Sequence, residues 1–105
     1  MKVIDFNSIE PFFSQERDGK KTFTIRKTDS KDKRFRTLAQ WTPDKHWGIR
    51  ITNPTTGESF IREIIFANFL SYFDYRQDNF WDRLTYFYDC KIIVMGEVIE
   101  ERKEG

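Results

Sequence analysis

The residues best equipped for chemistry lie in one short run, Asp18 to Lys27, reading Asp-Gly-Lys-Lys-Thr-Phe-Thr-Ile-Arg-Lys. Phe23 and Ile25 alternate with Thr22, Thr24 and Arg26, which is the period of a strand. Phe23 and Ile25 are expected to point to the core. Two hydroxyls and a guanidinium then share the other face, with Lys21 at its entrance. Such a face suits an anion, because Arg26 can hold a phosphate or carboxylate through two parallel N–H bonds. It also suits proton transfer: Lys21, with Lys20 and Arg26 as like-charged neighbours, could serve as a base, and Thr24 as nucleophile or oxyanion donor. The plain alternatives are a solvated corner lysine at Lys21, an ordinary strand threonine at Thr24, and an ion pair of Arg26 with Glu58 or Glu63.

Charge supports the anion reading locally. The chain carries a net charge of only +1, yet Lys20 to Arg36 holds eight bases against two acids, leaving −5 for the remainder. Lys20, Lys27, Arg34 and Arg36 are therefore candidate ligand contacts beside Thr22 and Arg26, the alternative being a solvated basic loop. Aromatic residues make up 17% of the chain, enough to offer stacking surfaces for bases as well as a core. Trp47 and Tyr72, near polar turns, are the ones singled out for stacking; Trp41, Phe73 and Tyr75 are further options. Cys90 is the single cysteine, which excludes an intrachain disulfide and suits a reducing compartment, and His46 is the single histidine. No metal-ligand spacing of the Cys/His type occurs, and no cofactor is implied. The start of the chain has no apolar signal region, and Ile64 to Leu70 is far too short to span a bilayer. A cytoplasmic monomer is expected.

These residues need elements to position them, and 105 residues allow one domain, 1–105. A helix is predicted from Ser8 to Asp18, capped by Asn7 with Glu10 three residues on, and stopped by Gly19. The strand Thr22 to Arg26 follows, then a charged loop from Thr28 to Lys33. Phe35 to Trp41 reads as a second strand, and Trp47 to Asn53 as a third with Ile49 and Ile51 inward. Pro54-Thr55-Thr56-Gly57 is a turn leading to a return strand, Glu58 to Phe66, with Phe60, Ile64 and Phe66 on one face. Tyr72 to Gln77 is irregular, and Asn79 to Tyr88 has helical spacing. Lys91 to Ile99 is a β-branched strand, and Glu100 to Gly105 a frayed tail. The expected fold class is α+β, a small mixed β-barrel with two flanking helices.

The run Asp18 to Lys27, placed after a first helix, resembles the signature of the ASCH domain family, a relative of the PUA domain. The family's next motif, Phe-x-x-Gly-Asp, is matched only by Phe35 of Arg34-Phe35-Arg36-Thr37-Leu38. The resemblance implies a PUA-like barrel and kinship to RNA. It is similar in particular to small single-domain members that remove the acetyl group from acetylcytidine. In those, a Lys and a Thr of the signature act with a Glu, which carries over to Lys21 and Thr24. The family's Glu-Asn-hydrophobic resembles Asp78-Asn79-Phe80, so Asp78 is implied as the acid, with Asp74 as fallback. An Asp is one methylene shorter than a Glu, and Asp78 also reads as a helix cap.

Three functions follow as expectations. The first is a module whose basic cleft binds RNA, or a nucleoside or nucleotide. The second is an amidohydrolase, or a ribonuclease, acting on a modified nucleoside or on RNA. The third is a small protein-interaction protein of the kind found in phages.

Overall fold

Five strands in the order β1-β3-β4-β5-β2 make one mixed sheet, curled into a half-barrel and accompanied by two short helices. The computed structural model describes residues 1–28, 31–69 and 90–102. The elements are β1 (Val3–Asn7), α1 (Phe12–Arg17), β2 (Phe23–Lys27), α2 (Lys33–Leu38), β3 (Gly48–Thr52), β4 (Ser59–Phe69) and β5 (Cys90–Arg102). β1 runs parallel to β3, and every other pairing is antiparallel. The α+β class and a small barrel-like sheet are therefore as expected.

The centre of the sheet forms as its pattern predicts. Ile49 and Ile51 are fully buried, and Asn53 accepts from the Thr55 N–H to shape the turn into β4. Gly57 completes that turn with a positive φ of 80°, conformational space that suits a residue without Cβ. β4 begins with Phe60 and Ile64 inward, but Phe66 is exposed and Ala67 takes the inward position. Three register shifts against β5 lie between Ile61 and Phe66, and the last, between Ile64 and Phe66, adds a residue to β4 and moves the following side chains to the other face. The same shifts bend the two longest strands and curl the sheet.

Several expectations are corrected. β1 went unread, although Ile4 and Phe6 alternate inward with exposed Asp5 and Asn7. α1 starts at Phe12 rather than Ser8, and Asn7 does not cap it. The N-cap position falls on Pro11, which has no side-chain donor or acceptor, and Glu10 just before it accepts from the Ser14 N–H and hydroxyl at 2.9 and 2.6 Å. Phe35 to Trp41 is not a strand. Asp32 caps α2 by accepting from the Arg34 N–H, and Phe35 and Leu38, three residues apart, reach the core together. The tail is ordered further than expected, since Glu100, Glu101 and Arg102 pair with Ile61, Phe60 and Ser59. The helix expected at Asn79 to Tyr88 and the irregular stretch before it lie outside the described residues.

Candidate nucleic-acid interface

β2 keeps the expected period with the opposite phase. Phe23 and Ile25 are about two-fifths exposed, whereas Thr24 is 2% exposed on the inner face of the curled sheet. The predicted open row of Thr22, Thr24 and Arg26 is thus corrected. Thr24 and Arg26 turn inward because they complete a buried hydrogen-bonded cluster, which a phase set by hydrophobicity alone would leave unsatisfied, while Thr22 stays exposed. The centre of that cluster is Glu16, on the inward side of α1 and 1% exposed. Its carboxylate accepts from Lys21 Nζ at 3.0 Å and from the Ser8 hydroxyl at 2.9 Å. Ser8 in turn accepts from Arg26 Nη2 at 2.8 Å, and Arg26 Nε donates to Thr24 Oγ1 at 3.0 Å. Lys21, Glu16, Ser8, Arg26 and Thr24 form one continuous chain of contacts. Across from Arg26 on β5 stands Lys91, 3% exposed, whose ammonium burial pushes below its ordinary value.

Arg26 leads from this interior to the surface. Its Nη1 donates to the Asn7 carbonyl at 2.6 Å, at the end of β1. Arg34 Nη1 donates to the Asp5 carbonyl, two residues earlier on the same strand, at 2.7 Å. Residues two apart on a strand direct their backbone groups to the same side, so both arginines meet the edge of β1 that β3 does not cover. The two guanidiniums lie 5.0 and 4.4 Å from the centre of the buried Phe6 ring. Beside them opens a cleft of about 360 Å³ lined by Phe6, Asn7, Arg26, Lys27, Asp32, Arg34 and Phe35.

The electrostatics of the cleft favour an anion. Burial holds Arg26 below the usual guanidinium value; the charge of Glu16 opposes the shift, and that of Arg34 adds to it. Among the described residues Arg26 donates only to neutral oxygens and has no ion-paired carboxylate. Arg34 is instead raised by its hydrogen bonds to Asp32, whose carboxylate it meets at 2.6 Å. Three cations against one carboxylate leave a net positive cleft around an incompletely compensated charge.

Of the residues singled out from the sequence, Arg26, Lys27 and Arg34 line this cleft. Lys20 and Thr22 are exposed and Arg36 lies on the outer side of α2; none of the three lines it. Trp47 packs partly buried against the core, with the Lys2 and Lys45 ammonium groups 5.4 and 5.9 Å from its ring, and does not line the cleft. Arg26 does not pair with Glu58 or Glu63; Glu58 meets Arg17 instead. His46 is largely exposed, 4.0 Å from Glu63. Tyr72, Phe73, Asp74, Tyr75 and Asp78 lie outside the described residues, and the Cys90 side chain is likewise undescribed. Among the described residues no group of His, Cys, Asp or Glu side chains could hold a metal, and no helix is long and apolar enough to cross a membrane. Glu16, Ser8 and Lys91 were not read from the sequence. Glu16 looks like any acid in a short helix, and the signals that could have found it are its place three residues after Phe13 and its i+5 spacing to Lys21 across Gly19. Comparison with family models, curated proteins and solved structures finds no match to this chain.

Proposed function

We propose that this protein is a binding module for RNA or a nucleotide, of the ASCH/PUA-like kind its signature resembles. The observation that carries the reading is the convergence of Arg26 and Arg34 on one small cleft, joined by Lys27. Guanidiniums suit phosphate geometry, and their flat faces accept a stacked base. Arg34, with its side chain 44% exposed, presents such a face. The test is fluorescence anisotropy of short single-stranded RNA and of nucleotides across a salt series. Lys27→Ala and Arg34→Ala should each weaken binding by about three- to tenfold and lower the salt slope by about one. Lys20→Ala, outside the cleft, should change little. Absence of binding at low salt, or an equal effect of Lys20→Ala, overturns the reading.

A second reading, hydrolysis of an acylated nucleoside, draws support from Lys21 and Thr24 belonging to one cluster with the carboxylate of Glu16. Thr24 would have to become accessible for turnover. Release of acetate from acetylcytidine, lost in Thr24→Ala and Glu16→Gln while both remain folded, is the expected signature. No release by the wild-type protein removes that substrate from the reading.

A further inference from the structure

The donors of the two arginines can be accounted for individually. A guanidinium has five N–H groups. Arg26 gives three to Thr24, Asn7 and Ser8, one from each nitrogen, leaving two. Arg34 likewise gives one from each nitrogen to Asp32 and Asp5, leaving two. Among the described residues, four charged N–H donors therefore remain on two groups that are already fixed in place by the edge of β1 and by Phe6. Fixed donors lose little freedom when a ligand arrives. With Lys27 added and Asp32 subtracted, the cleft carries a formal charge of +2.

A phosphodiester inside a strand offers two free oxygens and one negative charge. A phosphate monoester offers three oxygens and a charge near −2 at neutral pH. Four donors and a charge of +2 match the monoester better. Shape agrees with charge. At about 360 Å³ the cleft is at the small end of ligand sites, suited to a single nucleotide rather than to a strand passing through. Asp32, on the lining, would repel a second phosphate close to the first.

Resting on the basic-cleft reading above, we infer that the group recognised between Arg26 and Arg34 is a terminal phosphate monoester, carried by a free nucleotide or by the end of an RNA strand. An internal phosphodiester would use the site weakly, and a nucleoside without phosphate would lack its main anchor.

The experiment titrates the wild-type protein with matched ligands at low salt and pH 7.5. These are a nucleoside and its 5′-monophosphate, and one short RNA with a 5′-phosphate, with a 3′-phosphate, or with hydroxyls at both ends. An acidic peptide serves as comparison. A terminal phosphate should tighten binding at least tenfold over its hydroxyl counterpart. That advantage should shrink as pH falls through about 6, where the monoester loses its second charge. A free nucleotide that binds as tightly as the phosphorylated strand identifies a small-molecule site; a tighter strand identifies an end-binding site. Arg34→Lys, which keeps the charge but not the fork, should remove most of the advantage and retain weak RNA binding. Equal affinity for phosphorylated and hydroxyl-ended RNA overturns the inference and leaves the basic-cleft reading standing. Binding of the peptide alone, or of nothing, overturns both.

Discussion

At the scale of single residues, the cations of the cleft were legible and the groups that organise them were not. Lys27, Arg26 and Arg34 stand out in a run of eight bases. Glu16 follows the buried Phe13 by three residues and so shares the inward face of α1, but its residue type alone does not mark it as buried. Asp32 has two roles that one substitution separates. Asp32→Asn retains a side-chain oxygen to cap α2 but removes the only carboxylate among the described residues lining the cleft. Anion affinity should rise by about threefold, the scale of one partly exposed charge, with little change in stability. An unchanged affinity by titration would show that Asp32 lies too far from the bound anion to matter, and a weaker one that its hold on the Arg34 guanidinium outweighs its charge. Lys91 predicts a pH dependence. Burial holds its pKa below the ordinary 10.5, so approaching 10.5 from below the unfolded chain binds more protons than the folded one. Stability contributed at this position therefore rises with pH in that window. Urea midpoints of the wild type, taken relative to Lys91→Met, should increase between neutral pH and about 10. A flat difference would remove Lys91 as the source.

At the scale of elements, the period of each strand was legible more often than its phase or its length. Ile49 and Ile51 belong to a strand flanked by others, where apolar side chains can only turn inward. β2 is an edge strand whose inner face meets the Glu16 cluster, and there the polar residues turn in. Alternation cannot reveal this, because it is symmetric under exchange of faces. α2 was missed for a different reason. Phe35 and Trp41, six residues apart, share a face in a strand, whereas Phe35 and Leu38, three apart, share one only in a helix, and the decisive signal was the Asp32 cap before them. The end of α1, by contrast, was marked by Gly19, whose φ of 79° is left-handed. Arg62 from β4 completes that end, donating to the Glu16 and Arg17 carbonyls and to Gly96 on β5. A Cβ on Gly19 would come within 3.3 Å of Arg62 Nη2. Gly19→Ala should cost about 1–2 kcal/mol through the left-handed backbone alone, lowering the thermal midpoint by several degrees. Gly19→Asn should cost less, since asparagine tolerates that region. Equal midpoints for all three proteins in a thermal melt would refute this account of the α1 terminus.

At the scale of the whole molecule, the strand order leaves β1 and β2 at opposite edges of a sheet curled far enough for a side chain to bridge them. Of this order only the β3–β4 hairpin could be read from the sequence, because β1 is not among the predicted strands and its parallel pairing to β3 spans residues distant in the chain. The seam is closed by arginine rather than by a strand ladder. Arg26 crosses from β2 to Asn7 and Ser8, and Arg34 covers Asp5 from α2. An open edge with Ile4 and Phe6 behind it is a template for another chain, and guanidinium caps are one way to blunt it. Removing them should therefore have two separable consequences. Arg26→Met leaves Thr24, Ser8 and Asn7 without a donor and should destabilise the monomer by about 2–4 kcal/mol. Arg34→Met removes a more exposed group and should cost about 1 kcal/mol. The double variant uncovers the edge of β1 and should form concentration-dependent dimers or larger species that neither the wild type nor Arg34→Met forms. Light scattering coupled to size exclusion reads the second consequence, and urea melts read the first. A double variant that stays monomeric while losing stability would mean that the two arginines hold the seam together without guarding it. Self-association at undiminished stability would mean the reverse.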